Sequence, residues 1–314
     1  MEKLARRGDV LLTLTAVAWA FNISATEFAL THGFSPLIYA ASRNLLGGVA
    51  LTIWVYRRER SLAIRRQDIG AVLGAAALGV TVNQLCLVYS LRFSGAVVVA
   101  LIFGMGPIAT SLIAWLAGVE RLGGWGWIAA VLSSGGVACV ALGAGSHGVQ
   151  AIIGIGLALG ATLSWAGYSV ILMSVSGQYS ALRLNAVMII AGSIPLTALA
   201  MPGLGGVRWL SIMPMAWTCW TYGTVISYTL GSIAWTRGVR LVGASRASLY
   251  NNVQPFLGAV LAALLLSERF ALIQLVGGGM VAVGVIVGGR GRSSHRTRRQ
   301  DGCSGGTAVR ELSA

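Results

Sequence analysis

Apolar residues gather along this chain in long unbroken runs, unlike the alternating or striped patterns of a soluble fold. Ten such runs lie near residues 10–30, 36–55, 69–91, 95–118, 124–143, 151–174, 183–201, 216–239, 244–266 and 271–288. A bilayer core of about 30 Å takes roughly 20 apolar residues of α-helix, and the runs have that length. The pattern predicts an all-α integral membrane protein with ten transmembrane helices. The breaks are short and carry turn or charge signals: His32-Gly33-Phe34-Ser35-Pro36, Gly123-Gly124, Gly145-Ser146-His147-Gly148 and Gly203-Leu204-Gly205-Gly206. The first run is too long for a cleavable signal peptide, lacks a convincing small-residue cleavage site and is followed by nine similar runs, which predicts a retained helix.

Composition agrees: 56% of the 314 residues are hydrophobic and 10% charged, with a mean hydropathy of +0.77. Soluble domains carry about 25% charged residues. The 43 glycines suit close helix packing in lipid, where small residues let backbones approach. A net charge of +14 raises the question of nucleic acid, but the charge has a different address. It sits in Lys3–Arg7, Arg57–Arg66 and Arg290–Arg299, each run bordering an apolar stretch. That is the distribution of cytoplasmic flanks facing anionic lipid headgroups, and it predicts no nucleic-acid partner. With the N-terminus in the cytoplasm, only Arg92, Arg208 and Arg269 fall outside and Arg43 falls within a helix. Both termini are therefore expected in the cytoplasm of an inner membrane, with 1–9 a cytoplasmic N-terminus and 289–314 a disordered basic tail. Cys86, Cys139, Cys219 and Cys303 form no CxxC and have no histidine near them, which argues against a disulfide scaffold and against a metal site.

The chain also repeats itself. Arg92, Gly95, Ala96, Pro107, Glu120 and Arg121 recur in order as Arg240, Gly243, Ala244, Pro255, Glu268 and Arg269, 148 residues on. Trp19-Ala20 is echoed by Trp165-Ala166 at a separation of 146. Five runs per half is an odd number, so the second half is expected to enter the membrane with opposite polarity, as in transporters built from inverted repeats. On these residues the chain resembles the drug/metabolite transporter superfamily, specifically exporters built of two EamA domains, here 10–143 and 151–288. The resemblance implies two inverted five-helix repeats and a central cavity lined mainly by the first, third and fourth helices of each half. It also implies export of small molecules, often amino acids or related metabolites.

Several residues are candidates for function. Pro107 and Pro255 would free the carbonyls of Phe103 and Asn251, and such kinks in lipid should face the protein interior or a wet cavity. The functional reading is a pair of hinges; static packing kinks are the alternative. Polar faces on the first, sixth and eighth helices offer Trp19, Asn22, Trp165 and Tyr228 as substrate contacts, beside Ser and Thr residues that suit helix–helix hydrogen bonds. The ninth helix has the densest cluster, Tyr250, Asn251, Asn252 and Gln254; Tyr250, Asn251 and Gln254 share a face, and their counterparts in the fourth are Ile102, Phe103 and Gly106. This predicts a cavity polar on one side and apolar on the other. Asn83 and Gln84 in the third helix are further candidates. Glu27 and Arg43 are charges within the membrane, where ionisable groups are costly. Either Glu27 carries a proton or pairs with Arg43 in an outer gate, or Glu27 meets interfacial water while Arg43 caps backbone carbonyls. Glu120-Arg121 and Glu268-Arg269 lie at helix ends and are expected to anchor loops.

The sequence holds no GxxxxGK[ST] phosphate loop. The expectation is a secondary transporter, a monomer or homodimer with a small-molecule substrate, no cofactor, no metal and no catalytic residues. A proton-coupled multidrug exporter using Glu27 is the alternative. An intramembrane enzyme is disfavoured, because Glu27 is the single carboxylate in the apolar runs and no histidine joins it.

Overall fold

The structure is a computed structural model that describes residues 2–119, 122–144, 149–175, 177–266 and 271–287. All regular structure among these residues is helical. Helix α1 is Glu2–Thr31, and α2 is Pro36–Glu59, with Pro36 in its first turn, where a missing N–H costs nothing. The next stretch runs Ile69–Ala76, widens to π-helix over Ala77–Val82 and continues as Asn83–Phe103. At 38 residues from Arg66 to Phe103 it would be about 57 Å long if straight, nearly twice a bilayer core. It is not straight. Gly95 (φ 80°, ψ 165°) breaks it, so 69–94 is α3, and 96–103 together with Gly106–Leu116 is α4. Then come α5 (Gly124–Ala144), α6 (Val149–Val175) and α7 (Ala181–Ala200). Helix α8 is assembled from Pro214–Thr221, a π-helical Tyr222–Leu230 and Gly231–Val242. Helices α9 (Ala244–Leu266) and α10 (Leu272–Val287) complete the described chain.

Seven stretches among the described residues are long and apolar enough to cross a membrane, and Gly106–Leu116 and Leu272–Val287 are shorter apolar helices. Helix α8 is in neither group, because Thr221, Thr224, Ser227, Tyr228, Thr229 and Ser232 dilute its hydropathy. Large apolar side chains such as Leu14, Val131, Ile152, Leu264 and Leu272 point outward, while the interior is rich in alanine and glycine. That inversion of the soluble pattern fits a bundle whose solvent is lipid. The helix begins at Glu2, ahead of the apolar run near residue 10, so Lys3–Arg7 lie in its first turns.

The 148-residue repeat reaches into backbone geometry. Gly243 (φ 87°, ψ 157°) breaks the chain between α8 and α9 as Gly95 does between α3 and α4. Both glycines hold a positive φ that a side chain would strain. The π-helical turns also correspond, Ala77–Val82 falling within the equivalent of Tyr222–Leu230. Helix α1 packs on α8 and α9, α6 packs on α3 and α4, and α2 packs on α7, so each half leans on the other. In α2, Gly47 lies against Tyr228 and the Thr224 carbonyl; in α7, Gly192 lies against Val80 and the Ala76 carbonyl. Thr229 hydroxyl donates to the Gly47 carbonyl (3.4 Å), and Thr81 hydroxyl donates to the Gly192 carbonyl (2.8 Å). Equivalent residues thus make equivalent contacts across the two halves, with a separation of 145 between α2 and α7.

The matched prolines do not behave alike. Pro255 sits inside continuous α9, but Pro107 stands in the first turn of a helix that restarts after a break at Gly104–Met105. The expected kink at Pro107 is therefore a chain break. Proline is tolerated there because the first-turn N–H has no intrahelical acceptor.

Candidate functional site

The most polar part of the interior is built around Arg43 in α2. Its neighbours come from periodicity: Tyr39, Arg43, Asn44 and Gly47 fall at i, i+4, i+5 and i+8 on one face, turned toward α1, α3 and α8. Arg43 is only 2% exposed. Its Nη2 donates to Gln84 Oε1 (2.5 Å), while Nε and Nη1 are buried without a hydrogen-bond partner. The guanidinium lies 5.4 Å from the ring centre of Tyr39 and 5.6 Å from that of Tyr228. Such contacts contribute about 2 kcal/mol when desolvated, less than the several kcal/mol that burying an uncompensated charge costs. Among the described residues no ion pair to Arg43 is formed; the Glu59–Arg183 bridge lies at the helix ends.

The surrounding groups hold one another. Tyr39 hydroxyl shares a hydrogen bond with Thr26 (3.2 Å), Tyr228 hydroxyl donates to Asn44 Oδ1 (2.5 Å), and Gln84 Nε2 donates to Asn83 Oδ1 (3.4 Å). Asn22 Oδ1 is buried with no partner. At Gly223 a Cβ would lie 2.9 Å from Asn22 Oδ1, 3.1 Å from Tyr39 hydroxyl and 3.5 Å from Arg43 Cδ, so these groups converge on one point kept clear by a glycine. Both π-helical turns adjoin this centre, one leading into Asn83-Gln84 and one containing Gly223 and Tyr228. Wide turns of this kind are frequent at functional sites.

The expected site residues are divided by this geometry. Asn22, Asn83 and Tyr228 join the centre. Trp19 is adjacent, but its Nε1 donates to the Ser227 carbonyl (2.9 Å) and its ring packs 5.2 Å from Trp235, so it braces α8. Tyr222 hydroxyl returns the bond to the Ala18 carbonyl (3.0 Å). Asn83 likewise ties α3 to α6 through the Ala161 carbonyl (2.9 Å). Trp165, 49% exposed and paired with Tyr168 at 4.9 Å, makes no hydrogen bond or ring contact with the Arg43 cluster.

Tyr250, Asn251 and Gln254 are not brought to the centre either. Tyr250 hydroxyl donates to Asp9 Oδ1 (2.9 Å), near the start of α1. Asp9 and Asn22 are 13 residues apart on one helix, about 20 Å of rise. Asn251 is exposed and Gln254 half-buried. The polar wall at the centre is supplied by α2 and α8 in place of α9. The expected Glu27–Arg43 pair is also absent, because Glu27 is turned about 140° around α1 from Asn22 and about 100° from Thr26, the α1 residues of the cluster. Tyr39 and Gly223 are site neighbours that the apolar pattern of the sequence does not single out. The α2 spacing of Tyr39, Arg43 and Asn44 is the signal that would have found the first; nothing local marks the second. Glu120-Arg121, Glu268-Arg269 and the tail 289–314 lie outside the described residues.

Contacts between elements flank the centre on both sides. A cavity of about 560 Å³ opens beside residues 30–36 and is lined by Leu30, Phe34, Arg92 and Arg208 among others. Below it, Phe34 packs edge-on to Tyr39 (5.6 Å) and Trp217 (4.9 Å), and Trp220 Nε1 donates to Ser42 Oγ (3.0 Å). At the opposite end Arg183 Nε bridges to Glu59 Oε2 (3.0 Å), Ser180 donates to Glu59 Oε1 (2.5 Å), and Tyr179 hydroxyl donates to Asp68 Oδ2 (2.6 Å). That cluster fastens the α2–α3 connection to the start of α7.

Residues 6–142 and 152–288 each match the EamA-like transporter family, which together is most of the chain. The chain belongs to that family. As an EamA-like protein it is a multi-pass membrane protein of two-repeat helical fold, and the uncharacterized transporter YvbV of Bacillus subtilis (strain 168) is 26% identical over 283 residues, covering 88% of this chain and 90% of that one. The uncharacterized transporter YdfC of the same organism is 27% identical over 279 residues (85% and 86%), and an uncharacterized transporter of Archaeoglobus fulgidus is 22% identical over 283 residues (88% and 97%). One crystal structure superposes with a TM-score of 0.60 over 88% of this chain and 95% of its own at 15% identity, a likeness of fold. This EamA-like chain is a membrane transporter by family.

Proposed function

We propose that this protein is a secondary transporter that exports small organic solutes, amino acids or related metabolites, across the inner membrane. It works by alternating access between two repeats of opposite polarity, with both termini in the cytoplasm. One observation carries the reading: the buried polar centre around Arg43 draws on both halves, with Asn22, Tyr39 and Gln84 from the first and Gly223 and Tyr228 from the second. A site between repeats with contacts flanking it on both sides is what alternating access requires, because relative motion of the repeats can then open one end at a time. The aromatic packing at Phe34 and Trp217 and the Glu59–Arg183 cluster are the two closures to be released in turn. Transport needs no nucleotide in this scheme, and Glu27, lying outside the cluster, is not required for coupling.

The test is counterflow into proteoliposomes with a labelled panel of amino acids and other small metabolites, with and without an imposed proton gradient, for wild type and Glu27→Gln. Saturable uptake indifferent to gradient and substitution is expected. Gradient-driven uptake lost in Glu27→Gln would replace this reading with a proton-coupled exporter, and no saturable uptake of any solute would overturn it.

A further inference from the structure

Three buried polar atoms at the centre have unmet hydrogen-bonding capacity: Arg43 Nε, Arg43 Nη1 and Asn22 Oδ1. Buried polar groups in proteins are almost always satisfied, so each such exception calls for an explanation. Two are donors on a single guanidinium and one is an acceptor, and a Cβ on Gly223 would lie 2.9 Å from Asn22 Oδ1 and 3.5 Å from Arg43 Cδ, so the two residues adjoin one point. A guanidinium stays charged in proteins, so protonation change cannot relieve Arg43. What relieves it is an anion: a carboxylate can take the Nε–H or an Nη1–H together with the second hydrogen of Nη2, whose first goes to Gln84.

We infer that Arg43 is the docking point for the carboxylate of the transported solute, and that Asn22 Oδ1 accepts an N–H or O–H from the carbon next to that carboxylate. The ligand class is small acids bearing a donor beside the carboxyl group, such as α-amino or α-hydroxy acids. Tyr39 and Tyr228 flank the guanidinium with their ring faces and keep water from it, which strengthens a charge-assisted bond formed there. Arg92 and Arg208 line the outer cavity, so an anion leaving the centre meets positive charge on its way out.

The comparison between halves sharpens the inference. By the 145-residue separation that Gly47 and Gly192 establish, the counterpart of Arg43 is Met188, a buried apolar residue in an equivalent helix contact. The fold therefore accepts methionine at this place, and a structural need for arginine is not built into it. Met and Arg also have similar length, so Arg43→Met should fold.

The inference rests on the transporter reading above, and the experiment separates the two. The detergent-solubilised full chain is heated alone and with three pools: α-amino and α-hydroxy acids, the corresponding amides, and the corresponding amines. Wild type should be stabilised by the acid pool alone. Arg43→Met should raise the melting temperature of the ligand-free protein, because a lone buried charge is removed, and should lose the response to acids. A structural arginine would instead give a fall. Arg43→Lys should bind the most active acid about 100-fold more weakly, and Asn22→Leu about tenfold more weakly. Gly223→Ala, which places a Cβ at the meeting point, should abolish the response while keeping the fold. Stabilisation by amides or amines equal to that by acids, or an acid response retained in Arg43→Met, overturns the carboxylate assignment. Saturable counterflow of neutral or cationic solutes, undisturbed by Arg43→Met, overturns it while leaving the transporter reading intact. An acid response confined to Arg43 with no counterflow of any solute does the reverse.

Discussion

The interface of α2 with α8 and that of α7 with α3 have the same backbone and opposite chemistry. Gly47 and Gly192 make the same close approach, and Thr229 and Thr81 donate to the same carbonyl. Four residues before each glycine the halves part: Arg43 stands in α2 and Met188 in α7, Tyr39 opposes Leu184, and Asn44 opposes Ile189. Across from them, Tyr228 in α8 corresponds to Val80 in α3. The lesson is that duplication preserves what packing demands, small residues and backbone acceptors, while the positions between them are free to diverge. One interface between the halves became a polar centre and the other an apolar support around Val72, Ala75, Ala76, Leu184 and Met188. The buried polar residues concentrate where the symmetry fails.

Carrying the charge across breaks this comparison most severely. Met188→Arg should destabilise the protein by about 3–5 kcal/mol, because the new guanidinium is buried among alanine, valine and leucine with no counter-charge. Thermal denaturation in detergent measures this, and a small effect would mean that the second half has a polar pocket of its own. Next comes the glycine pair. A Cβ on Gly192 would approach Val80 Cβ at 2.5 Å and the Ala76 carbonyl at 2.6 Å, whereas one on Gly47 would meet the Tyr228 ring at 3.0 Å. Gly192→Ala should therefore cost about 1–3 kcal/mol and Gly47→Ala clearly less, which paired melting curves resolve. An equal cost would show that the apolar side packs no more rigidly than the polar one.

Smaller effects belong to the end closures. Tyr179→Phe removes a hydroxyl that donates to Asp68 and accepts the Arg65 backbone N–H (3.0 Å). It should loosen the α2–α3 connection by about 1 kcal/mol and raise its proteolytic or hydrogen-exchange rate, with no matching change at Phe34 and Trp217. The smallest difference is between the threonines. Thr81→Val should lose about 1 kcal/mol and Thr229→Val less, since Thr229 bonds Gly47 at a long 3.4 Å and also reaches the Thr224 carbonyl at 3.0 Å.

Much of the fold is legible in the chain. Long apolar runs announce helices in lipid, and Gly95 with Gly243 and Pro107 with Pro255 mark the repeat in the chain itself. The site is legible only in part. Asn22, Arg43, Asn83 and Tyr228 stand out because polar groups in apolar runs are conspicuous. Tyr250, Asn251 and Gln254 stand out for the same reason, yet α9 runs beside α1 at a height that puts Tyr250 against Asp9. Helical spacing gives direction around an axis but not the offset between two helices. The same blindness hid the partner of Arg43: Glu27 offered opposite charge at a plausible depth, while the neutral Gln84 of α3 met the guanidinium.

The sequence by itself determined that this protein lives in a membrane, that it is helical and that its halves share a plan, because hydropathy, charge and repeated spacing are properties of a line of residues. Only the tertiary structure decided which polar residues meet. Arg43, Asn22, Gln84 and Gly223 belong to four helices, and their distances depend on how two π-helical turns and several glycines set the height and approach of those helices. The physical reason is that lipid rewards every helix for being apolar but is indifferent to which helices touch. The contacts are selected by close packing and by the need of buried polar groups for one another.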